Sequence, residues 1–79
     1  MQTIIATVKQ QDKNTIVQIG DKTIATISPS FSHPGRYDGN FAHMAFCNNS
    51  RYVDAVEFIT TNIERIFAEN FGIEIKYAS

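Results

Sequence analysis

Asn14-Thr15-Ile16-Val17-Gln18-Ile19-Gly20-Asp21-Lys22-Thr23-Ile24-Ala25-Thr26-Ile27-Ser28 is two runs of mostly β-branched residues divided by a single Gly-Asp pair. Isoleucine, valine and threonine are stiff at χ1 and pack well on a pleated surface, so both runs read as strands. Gly20 accepts the positive φ that a two-residue hairpin turn needs. The second run stops at Pro29, which has no N–H to give to a ladder.

Working outward, Thr3 to Gln10 alternates Ile4, Ala6 and Val8 with Ile5, Thr7 and Lys9, and Asp12-Lys13-Asn14 is a turn signal. A turn at Asp12-Lys13 sets Val8 opposite Val17. A turn at Gly20-Asp21 sets Val17 opposite Ile24 and Thr15 opposite Thr26. Ile4, Ala6, Val8, Val17, Ile19 and Ile24 then share one face of a three-stranded meander. On the other face Ile16 lies beside Ala25, with Ile27 diagonal to them and Ile5 further along. One helix cannot cover both faces, so Ile16 and Ile27 are candidates for a partner or homo-oligomer contact.

Residues 29–40, Pro-Ser-Phe-Ser-His-Pro-Gly-Arg-Tyr-Asp-Gly-Asn, are expected to form a long irregular loop. Within it Phe31, His33, Arg36 and Tyr37 combine aromatic and cationic groups suited to recognition. The plainer alternative tucks Phe31 and Tyr37 inward. Phe41 to Cys47 is apolar on both faces and is expected to be a fourth strand.

Asn48-Asn49-Ser50 supplies three candidate N-caps for a helix running to about Asn70, with Gly72 just past its end. At 100° per residue Tyr52, Ala55, Val56, Ile59, Ile63, Ile66 and Phe67 form one apolar stripe. Phe58 lies off that stripe among Arg51, Asp54, Asn62 and Arg65. It is either an aromatic anchor for a partner or a residue covered by another segment. Ile73 to Tyr77 alternates again as a last strand. The expected fold is α+β: a small antiparallel sheet in β-β-β-β-α-β order with one amphipathic helix on one face, forming a single compact domain over residues 1–79.

The 79 residues carry seven basic and eight acidic side chains. Residues 1–36 hold four bases and two acids (+2), and residues 37–79 three bases and six acids (−3). The basic stripe that most nucleic-acid binders use is missing, although a sheet bearing Lys9, Lys13 and Lys22 is the alternative interface of that kind. No apolar run approaches a membrane span, and the first nine residues lack the features of an export signal. The lone Cys47 excludes an internal disulfide and fits a reducing cytoplasm.

Catalytic residues are not expected. His43 and Cys47, four apart in an expected strand, would stand about 13 Å from one another. His33, Asp38 and Cys47 lack the spacing of zinc ligands, so no metal or cofactor is expected. Gly35 and Gly39 do not flank a strand–helix junction, as a phosphate loop would require. In size, near-neutral charge and sheet-plus-helix plan, the chain resembles small phage and mobile-element accessory proteins that bind and block host machinery. That resemblance, which rests on no motif, implies a non-enzymatic inhibitor or adaptor with a protein partner.

Overall fold

The computed structural model describes residues 2–78. Its elements are β1 (Gln2–Gln11), β2 (Asn14–Ile19), β3 (Lys22–Pro29), β4 (Tyr37–Phe41), β5 (Ala45–Ser50), α1 (Tyr52–Phe71) and β6 (Ile73–Ala78). The strands form one sheet in the order β5-β4-β3-β2-β1-β6. The α+β class with one helix against one sheet face is as the sequence implies. The order gains a strand, and β6 joins β1 in parallel while every other pair is antiparallel.

The extra strand arises at Phe41 to Cys47, which is a hairpin and not one strand. Ala42 and His43 both take positive φ, and the Met44 N–H donates to the Phe41 carbonyl across the turn. His43 thus sits in a turn, so no strand carries it on a face shared with Cys47. The irregular segment is correspondingly shorter: β4 starts at Tyr37, leaving residues 30–36 as the loop.

The first hairpin has the expected register, with Val8 opposite Val17. The second begins as expected, Ile19 opposite Lys22 and Gln18 opposite Thr23, and then slips by one residue between Val17 and Gln18. A bulge of this kind sets two residues against one. Val17 therefore meets Ala25 and not Ile24, and Thr15 meets Ile27. Ala25 and Ile27 consequently turn to the helix side, where Ile27 is 1% exposed in the main core. Ile16 stays on the opposite face but is only 3% exposed, between Lys9 and Thr26. The apolar outer patch expected around Ile16 and Ile27 does not form; that face is rich in threonine.

Helix α1 leaves β5 at one edge of the sheet and enters β6 at the other, the crossover that a parallel pair requires. It lies close to β4, β5 and β6, which fits a sheet curled around it. Ala55, Ile59 and Ile63 are fully buried beneath it. A Cβ on Gly39 would stand 2.8 Å from Cγ1 of Ile59 and 3.2 Å from Sγ of Cys47, so only glycine lets the helix settle this deeply. Gly72, at φ 63°, ends the helix in the left-handed conformation and donates its N–H to the Ala68 and Phe67 carbonyls. Asn48, Asn49 and Ser50 extend β5, so Arg51 takes the N-cap position without a side-chain cap bond.

Three substitutions test this packing. Gly39→Ala should lower stability by about 1–3 kcal/mol through overpacking. In an Ile59→Ala background the same change should cost much less, leaving only the 3.2 Å approach to Sγ of Cys47, a coupling that chemical-denaturation cycles read directly. Ile63→Ala alone should cost about 2–5 kcal/mol.

Candidate functional site

The candidate residues assemble in part. Tyr37, the first residue of β4, packs edge-on against Tyr52 at the start of α1, with ring centroids 5.1 Å apart. The Tyr52 hydroxyl is 2.7 Å from Oγ1 of Thr15, a buried hydroxyl, and Gln10 donates to both oxygens. This network ties the helix start to β1 and β2 and leaves no buried polar side-chain atom without a partner among the described residues. Tyr37 is thus half-buried scaffold.

Asn49 holds the loop beside the helix. At φ 56° it adopts a conformation that asparagine tolerates better than most residues. Its N–H donates to Asp38 and its side-chain oxygen accepts from Ser30 at 2.6 Å. Ser30 and Arg36 close the loop backbone at 2.8 Å, and Arg36 donates to the His33 carbonyl inside it. The loop is therefore internally bonded, yet Phe31 at its tip is 103% exposed. Neither Phe31 nor His33 tucks inward.

Arg51 and Asp54 form a two-pronged ion pair at 2.8 and 3.3 Å on the exposed first turn. The Arg51 hydrogen bond lowers the Asp54 pKa against a smaller opposing desolvation, and the charges of Arg51 and Arg36 add to the lowering. One turn on, Phe58 is 40% exposed beside a depression of about 310 Å³ lined also by Asp54, Glu57, Thr61 and Asn62. Asn62 donates to the Phe58 carbonyl and accepts from Arg65, which reaches Glu69 at 3.4 Å. Arg51, Asp54, Phe58, Asn62 and Arg65 thus occupy one helix face, as read from the helical wheel.

Other candidates stay apart. Cys47 is half-buried near Gly39, whereas Asp38 engages Asn49 and His33 bonds Ser32 in the loop. Lys13 and Lys22 stand at opposite ends of β2 and β3. Tyr77 donates to the Thr60 carbonyl; burial, then the nearby Glu64 carboxylate, raises its pKa far above the ordinary phenol range. Among the described residues no helix is long and apolar enough to cross a membrane.

Sequence reasoning missed one feature. An apolar groove of about 420 Å³ opens at the far end of the molecule, between the start of β3, the β4–β5 turn and the last turns of α1. Met44 and Phe71 on its rim are 61% and 62% exposed. Compared with protein-family models, curated proteins and solved structures, the chain shows no significant match to any of them.

The Arg51–Asp54 pair gives a pH prediction. A lowered carboxyl pKa means that the pair is fully formed above the ordinary aspartate range and is lost as pH falls through the lowered value. Carboxyl NMR titration should place the Asp54 midpoint below the unperturbed value of about 3.9. Arg51→Gln should return it toward that value, and Arg36→Gln should move it in the same direction by less.

Proposed function

We propose that this chain is a non-enzymatic protein-binding domain that recognises its partner through the outer face of α1. The observation that carries the reading is Phe58, an aromatic ring held 40% exposed beside a depression on a rigid helix and framed by ordered polar groups. Aromatic residues with polar surroundings dominate binding energy at protein interfaces. The Arg51–Asp54 and Asn62–Arg65 pairs hold that frame before a partner arrives, which lowers the ordering cost of association.

The charges favour a basic partner surface. Glu57 lines the depression and makes no ion pair among those of the described residues, whereas Asp54 is matched by Arg51. The complementary surface carries an apolar side chain flanked by lysine or arginine. A small inhibitor or adaptor of a larger machine is the kind of protein this reading describes, and the resemblance in plan to phage and mobile-element accessory proteins belongs to it.

A displayed random-peptide library selected on the immobilised domain tests it. Enriched peptides should carry a large apolar residue beside a basic one. Phe58→Ala should bind them at least thirtyfold more weakly, about 2 kcal/mol, with an unchanged melting temperature. Arg65→Glu, at the rim, should act mainly on the association rate. Selected peptides that bind Phe58→Ala as tightly as the parent would show that the helix face is not the recognition surface.

A further inference from the structure

The two ends of the molecule carry opposite halves of a contact. β3 starts at the groove with Lys22 and ends at the 30–36 loop after Pro29. β4 runs back from Tyr37 to Phe41, and α1 from Tyr52 beside the loop to Phe71 at the groove. One end therefore presents the fully exposed Phe31 on an internally bonded loop, and the other an open apolar groove.

We propose that this groove receives Phe31 of a second copy of the chain, so that copies join head to tail. The lining suits an aromatic ring. Phe41 and Phe67 stack with centroids 6.3 Å apart, Phe71 follows Phe67 at 5.7 Å, and an entering ring extends the series. Met44 offers a thioether to the ring edge, and Lys22, the one charged lining residue, offers a cation to its face. At about 420 Å³ the groove lies in the lower range of small-ligand sites and can hold a phenyl ring with part of its loop.

Lys22 on the groove and Arg36 on the loop are both cations, so what complements Arg36 is the helix end and not the groove lining. Residues 30–36 include Arg36 and no acid. The helix end bordering the groove has no base in its last turn. A helix C-terminus carries partial negative charge and favours an approaching cation. The β4–β5 turn that carries Met44 to the rim has Ala42 and His43 in the left-handed region, at φ 48° and 62°. Such strain persists where the surroundings hold it, often at functional positions.

The occupant has to come from another molecule. Phe31 and the groove are separated by the length of β3, eight residues or about 26 Å. Because knob and groove are different surfaces, the contact is heterologous and propagates unless its rotation closes a ring. A single ring with its loop makes a small interface, so assembly is weak and concentration-dependent.

Sedimentation velocity from about 10 µM to about 1 mM, the range of weak complexes, tests this. The parent chain should grow into a ladder of species larger than dimer. Phe31→Ser removes the knob at a position with no packing to lose, and Phe71→Lys or Met44→Lys blocks the groove; each variant alone should remain monomeric. A mixture of Phe31→Ser with either blocked variant retains one intact knob and one intact groove, and should form a dimer that grows no further. A parent chain monomeric at 1 mM overturns the proposal. So does a groove variant that is folded by circular dichroism yet assembles like the parent, or a mixture that stays monomeric.

Discussion

The approach of α1 to β4 at Gly39 controls the rest of the structure. With no side chain on Gly39, Cγ1 of Ile59 reaches within 2.8 Å of where a Cβ would stand, and the helix sinks into the concave side of the sheet. That contact sets the helix rotation, since Ile59 and its neighbours Ala55 and Ile63 must all face inward. The same rotation turns Phe58 outward and carries Asn62 and Arg65 onto its side. The axial position follows as well: Tyr52 meets Tyr37 and Thr15 at one end, and Phe67 meets Phe41 at the other.

Much of this is legible in sequence because periodicity reports burial. The 3.6-residue stripe of α1 gave the buried face, and Gly72 gave its end. Alternation in β1 and β2 gave both strands and the first register. The bulge at Val17/Gln18 was not legible: Ile24-Ala25-Thr26-Ile27 offers an apolar residue to either face, so the pattern does not say which residue is the extra one. Inside the curl the sheet prefers Ala25 and Ile27, and Ile24 is left against the rim of the groove.

The two hairpin ends show the same limit. Turn chemistry predicts Asn-Gly or Asp-Gly at left-handed positions, so Ala42-His43 reads as strand interior until its neighbours place it. Asn48-Asn49-Ser50 reads as a helix cap because those side chains cap helices. Here Asn49 bonds Asp38 and Ser30 instead, and a strand with a loop strapped to it takes the place of the cap. Phe58 was visible because its site lies on one helix, where spacing alone decides who is adjacent. The groove was hidden because β3, the β4–β5 turn and α1 each contribute a few residues, distant in sequence, none of which signals a site by itself.

The aromatic residues contrast with this tight core. Ala6, Ala25, Ala45 and Ala55 are buried along with Ile27, Ile59 and Ile63, so the curled interior is built for close backbone approach and aliphatic filling. Phe41 is the one buried phenylalanine, while Phe31, Phe46, Phe58 and Phe71 are exposed, four of the six in the chain. In a domain that buries only about 60% of its chain surface, apolar area left outside at this density favours association. Phe31 at one end, Phe71 at the other and Phe58 on the helix between them supply the surfaces for it.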